Sequence, residues 1–175
     1  MKQITMMMLV AMLSGCTFVT DRYTMSSDNV LAAKSWEGIK VDVGAFSYGE
    51  NFSVPSCNYK GPIQTVDGEG YPNYIRNALI TDLKFAEVYS DKAPIRITGI
   101  IEEVDATTAS GTRWRIVAVI KSTNGKSVTI QEDYNYNGSI VGTIDSTCNA
   151  AAAALTPAVQ NLIGKIIDEI PKSLI

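Results

Sequence analysis

The side chains with the widest chemical scope in this sequence are three cysteines, Cys16, Cys57 and Cys148, in a chain of 175 residues that contains no histidine. The commonest general base and the commonest metal ligand are therefore both missing. Cys57 and Cys148 are far apart and not in a Cys-x-x-Cys arrangement, so a redox pair has no local signature, and a zinc site would have no histidine to complete it. The carboxylates form two short clusters. Glu102, Glu103 and Asp105 lie on a segment of strand character, where alternation sends Glu103 and Asp105 to one face and Glu102 to the other; this reads as a solvated strand end. Asp67-Gly68-Glu69 offers oxygen ligands of the kind calcium takes, but without the spacing of an EF-hand loop, and reads as a turn. Gly125-Lys126-Ser127 imitates the end of a phosphate-binding loop, yet Ile120 stands where the first glycine belongs. No Ser, Lys or Cys nucleophile has a legible base. The expectation is a protein that is not an enzyme and carries no catalytic residues, metal or cofactor.

Cys16 has a context of its own. Lys2 precedes the apolar run Met6 to Leu13, which ends in Leu13-Ser14-Gly15-Cys16. A positive start, a short apolar stretch and small residues before a break mark a secretory signal peptide, whereas a membrane-spanning helix needs roughly 20 apolar residues. A free thiol beside a membrane helix, or cleavage elsewhere, fits this pattern less well. Leu13-Ser14-Gly15-Cys16 resembles the lipobox of bacterial lipoproteins. That resemblance implies removal of residues 1–15 and acylation of Cys16 on its thiol and its new amine, so that the protein sits on a membrane and not in it. Several acyl chains on one residue meet the requirement that stable anchoring takes more than one. Thr17 follows the cysteine, and in enteric-type lipoproteins an Asp there often retains the protein at the inner membrane. The resemblance therefore implies the periplasmic leaflet of the outer membrane.

With Cys16 acylated, Cys57 and Cys148 remain as one pair in a chain bound for an oxidising compartment, and a disulfide between them is expected; redox activity and metal ligation are the competing readings. Cleavage leaves about 160 residues, the size of one domain with its own core. Loss of Lys2 takes the net charge from −3 to about −4. A mildly acidic chain without a basic run is a poor candidate for nucleic acid, which demands clustered Lys and Arg.

The elements follow from periodicity. Thr17 to Asn29 is polar and rich in Thr and Ser, so residues 16–36 read as a lipidated tether ahead of a single domain over residues 37–175. Gly38 to Ser47 alternates, with Ile39, Val41, Val43 and Ala45 on one face, and predicts the first strand. Tyr48 to Gly70, punctuated by Pro55, Gly61, Pro62, Gly68 and Gly70, predicts a long loop stapled by Cys57. Tyr71, Tyr74, Ile75, Ala78, Leu79 and Leu83 recur at helical spacing behind Pro72, giving a helix over about Tyr71 to Phe85. Three strands follow, Ile95 to Thr107, Arg113 to Ser122 and Ser127 to Tyr136, with turns at Ser110-Gly111 and Asn124-Gly125. The last element, about Asp145 to Ile170, carries the stripe Leu155, Val159, Leu162, Ile163, Ile166, Ile167 and Ile170, and Pro157 predicts a kink or a fresh start. Its polar side is not basic, so the stripe reads as core-facing.

In the meander, Ile95, Ile97, Gly99 and Ile101, then Trp114, Ile116, Ala118 and Ile120, then Val128, Ile130, Tyr134 and Tyr136 share the inward face. The opposite face carries charged and polar residues interrupted by Ile100, Val104, Val117 and Val119, a solvated face or a weak partner surface. This layout, over about residues 37–170, resembles that of the ABC-type transport auxiliary lipoproteins and related small envelope lipoproteins. The resemblance implies an α+β fold, an antiparallel sheet of about four to five strands packed against two helices. The expected role is a binding or assembly component of an envelope complex for transport or a surface structure, with the membrane, through acylated Cys16, and an envelope protein as partners. The alternative is a periplasmic carrier of a small apolar ligand or lipid. A packed interior favours the first and a dry pocket of several hundred Å³ the second.

Overall fold

Helical spacing and strand alternation produce twelve elements in the computed structural model, which describes residues 17–57, 60–108, 112–137 and 143–175. In chain order they are β1 (Phe18–Val19), α1 (Ser27–Lys34), β2 (Asp42–Tyr48), β3 (Ser56–Cys57), β4 (Gly61–Gln64), a 3₁₀ turn (Val66–Gly68), α2 (Tyr71–Phe85), β5 (Arg96–Thr107), β6 (Arg113–Ser122), β7 (Ser127–Asn135), α3 (Ile144–Glu169) and a closing π-helical turn (Ile170–Leu174). The fold is α+β: a four-stranded sheet in the order β2-β5-β6-β7 and a small one in the order β1-β4-β3. α2 packs on β2 and β5, and α3 on β6 and β7. Tyr74, Ile75, Leu79 and Leu83 of α2 and Leu155, Val159, Leu162, Ile163, Ile166 and Ile167 of α3 are fully buried or nearly so.

Four features depart from the expectation. First, the main sheet is mixed, because β2 runs parallel to β5 while β5, β6 and β7 form the antiparallel meander. The chain between β2 and β5 returns through α2 to the starting end of the sheet, and a helical crossover of this kind is what parallel neighbours require. Second, residues 17–36 are not a tether. Phe18 and Val19 pair in parallel with Ile63 and Gln64, and Phe18, Val30, Ala33 and Trp36 are buried. Ser26 caps α1 by accepting the Asn29 N–H. The apolar residues are few enough to be lost in a polar composition, but Val30, Ala33 and Trp36 stand at helical spacing. A third helix thereby joins the two expected.

Third, two β-bulges reset which residues face inward. A bulge in β2 between Val43 and Phe46 leaves Ala45 exposed and buries Phe46, and one in β5 between Ile101 and Glu103 brings Val104 and Ala106 into the core. One extra residue moves everything beyond it to the other face. Gly99 lies under the relocated Phe46, where a Cβ would sit 2.7 Å from the ring. Fourth, the hairpin between β6 and β7 spans Thr123, Asn124 and Gly125, and only Gly125 takes positive φ. The Gly125 N–H reaches Ser122 O and the Ser122 N–H reaches Lys126 O, a tight turn closed by a glycine bulge in place of the two-residue turn expected. The Ser110-Gly111 turn lies outside the described residues. α3 passes through Pro157 without a break.

Candidate functional site

Cys16 and residues 1–15 lie outside the described residues, so the geometry starts at Thr17 and the strand behind it. β1 is short, but its direction is fixed by the parallel pairing with β4 and by the Thr20 N–H donating to Gln64 O at 2.9 Å. β4 begins at Gly61, which pairs with Cys57 in β3. Cys57 is bonded to Cys148 near the start of α3, both are fully buried, and the bridge joins positions 91 residues apart. Lys60 faces Asp145 at 3.6 Å across the same junction. The expected disulfide is thus present, and burial shields it from the attacking thiolates that exchange requires. The start of β1, Lys60 and the start of α3 gather at one end of the molecule, and the Trp114 Nε1–H donating to Ala151 O at 2.8 Å brings the first residues of β6 there too.

Below this end the N-terminal segment is fastened to both large helices by a polar cluster that sequence reasoning missed. Asp82, on the buried side of α2, accepts from the Tyr23 hydroxyl at 2.7 Å, from Asn29 Nδ2 at 2.9 Å and from the Ser26 N–H at 3.3 Å. Asn29 Nδ2 also donates to Gln160 O at 2.9 Å, and Gln160 Nε2 donates to Thr24 O at 2.9 Å. The Tyr74 hydroxyl lies 2.9 Å from both Asp21 O and Thr156 Oγ1. Burial pushes the Asp82 carboxyl above its ordinary value, against the pull of the three donors, and burial together with the carboxylate pushes the Tyr23 hydroxyl upward. The signal was an acid at the helical spacing of Ile75, Ala78 and Leu79. Asp82 is sealed from solvent, so the cluster fastens elements together and offers no reactive surface.

The motifs that imitate catalytic sites are dispersed. Gly125-Lys126-Ser127 leads from the hairpin turn into β7, and Asn124 of that turn donates to Leu174 O at 2.8 Å. Glu103 pairs with Arg115 at 3.3 Å on the outer sheet face, while Glu102 is exposed. Asp67 pairs with Arg22 at 2.7 Å, and Glu69 accepts from Asn77. Among the described residues no group of three or more His, Cys, Asp or Glu side chains could hold a metal ion. Both edges of the main sheet are covered by helix cations: Arg76 of α2 donates to the Gly44 and Val43 carbonyls of β2, and Lys165 of α3 donates to Gln131 O of β7 while pairing with the buried Glu132 at 2.6 Å. Capped carbonyls of this kind block further strand addition at these points.

The depressions on the surface are open. Two of them measure about 440 Å³ beside Asp42, Gly44, Arg76 and Arg96, and about 320 Å³ beside Tyr48, Val54, Ile63 and Tyr71. The first opens where α2 meets the β2 edge of the main sheet and the second beside the small sheet, whereas Trp114, Tyr74, Leu79 and Leu155 fill the interior between the main sheet and its helices. α3 with its closing turn is long and apolar enough to cross a membrane by length and composition, but its stripe from Leu155 to Ile170 is buried against the sheet.

An α+β sandwich stapled at one end by a buried disulfide is the class these observations define. No protein-family model and no curated protein matches the sequence. Among solved structures, the chain is similar to a Xanthomonas campestris protein of the DUF330 family, at 11% identity and a TM-score of 0.53 over 89% of this chain and 94% of that one. It is also similar to a second, uncharacterised protein at 9% identity and a TM-score of 0.52, over 88% of this chain and 99% of the other. At such identities the likeness is one of fold.

Proposed function

We propose that this protein is a lipid-anchored lipoprotein of the bacterial envelope, acylated at Cys16, whose folded body acts as a non-enzymatic binding or assembly component of a transport or surface-structure complex. The observation that carries the reading is Leu13-Ser14-Gly15-Cys16 at the end of a short apolar run, immediately ahead of a folded body. The buried disulfide agrees with an oxidising compartment. The filled interior supports a surface-acting module over a carrier, since an apolar cargo needs an enclosed volume of several hundred Å³. Thr17 after the cysteine favours the outer membrane's periplasmic leaflet.

Metabolic labelling with a radioactive fatty acid tests the anchor. The wild-type protein takes up label and Cys16→Ala does not; label that survives the substitution would remove the basis of the reading. Crosslinking in intact cells followed by affinity capture tests the second half, with one discrete envelope protein recovered as the expected result.

A further inference from the structure

We infer that the protein stands on the lipid surface in one fixed orientation, with the end that holds the start of β1, Lys60 and the start of α3 against the headgroups. The inference rests on the reading of Cys16 as the acyl acceptor and adds which face of the body meets the membrane. Only Thr17 separates Cys16 from Phe18, and two residues of extended chain span at most about 7 Å. Acyl chains buried in the leaflet therefore hold β1 within reach of the headgroups, with no tether on which the body could swivel.

The direction of β1 selects the end. Because Phe18 and Val19 pair in parallel with Ile63 and Gln64, the residues before Phe18 run back toward the beginning of β4, where Gly61 pairs with Cys57. The disulfide holds that point to Cys148, and Lys60 and Asp145 face one another beside it. At this end Ile144, an aliphatic side chain 50% exposed at the first position of α3, is suited to the boundary between headgroup and acyl chain. Lys60, roughly half exposed, is suited to lipid phosphate. The body cannot rotate about β1, since Phe18 is buried and the segment behind it is bonded through Tyr23, Ser26 and Asn29 to Asp82. The opposite end, with the hairpin at Thr123 to Gly125 and the turn around Lys92, points away from the lipid, and the 12 residues of β5 place it roughly 35–40 Å out. A partner in the periplasm would meet that end first.

The test uses the full-length acylated protein in vesicles of phosphatidylethanolamine and phosphatidylglycerol that carry a spin-labelled headgroup lipid. Ile144→Trp and Lys92→Trp report from the two ends, against the constant emission of the buried Trp36 and Trp114. Co-sedimentation with the vesicles is read first. A wild-type protein that stays in the supernatant overturns the anchor and the orientation together. With the protein bound, the expected result is that the indole at position 144 is quenched several-fold more than the one at position 92. Equal quenching, or the reverse order, overturns the orientation while leaving the anchor intact. If Ile144→Trp does not fold, Lys60→Trp reports from the same end.

Discussion

Asp82 holds its proton more tightly in the folded chain than in the unfolded one, because burial penalises its charge more than three neutral donors offset. Where the folded state binds the extra proton, stability declines as pH rises, from the ordinary value of 3.8 up through the raised folded value. Asp82→Asn keeps an acceptor for the Tyr23 hydroxyl and removes the charge. Melting temperatures followed from about pH 4 upward should therefore shift in favour of the variant as pH rises, whereas parallel curves for the two proteins would show that this carboxyl does not titrate in the window. Gly99 makes a steric prediction at the same scale. A Cβ there meets the Phe46 ring at 2.7 Å, and overpacking of this kind costs about 1–3 kcal/mol, so Gly99→Ala should lower the denaturation midpoint in urea without altering the slope. An unchanged midpoint would mean that Phe46 can move aside.

At the scale of elements, the disulfide joins the short strand β3, which has little core of its own, to the first turns of α3. Closing a loop of 91 residues removes unfolded-state entropy worth about 4–5 kcal/mol on the chain-entropy model. The double variant Cys57→Ser, Cys148→Ser should melt roughly 8–20 °C lower than the wild type, a range set by about 2–4 °C per kcal/mol for a chain of this length. Thiol titration of the unfolded, unreduced wild type should find neither of the two reactive. An unaltered melting temperature would show that the small sheet is held without the bridge. The bulges in β2 and β5 act at this scale as well, because each re-aims half a strand and decides whether Ala45 or Phe46, and Glu103 or Val104, enters the core.

For the whole molecule, the segment that follows Cys16 supplies Phe18, Val30 and Trp36 to the core. Burying Phe18, Val30 and Trp36 contributes about 1.5–3 kcal/mol for each large side chain, together comparable to the net stability of about 5–15 kcal/mol of a folded domain. A chain lacking residues 17–36 also strips Asp82 of its donors Tyr23, Ser26 and Asn29. It should lose its near-ultraviolet dichroism and its cooperative thermal transition, while a wild-type transition would mean that the segment is an accessory layer. What repeats locally was legible before folding: α2 from Tyr71 to Phe85, the three meander strands to within a residue or two, the buried stripe of α3, and the pairing of Cys57 with Cys148 once Cys16 is set aside. Periods of two and of three to four are written in neighbouring residues, so they survive without the rest of the fold. The tertiary structure alone decided the parallel direction of β2, the two bulges, the packing of residues 17–36 and the cluster at Asp82. Those depend on partners such as Tyr23 and Asp82, 59 residues apart, and on one-residue offsets that leave no local period to read.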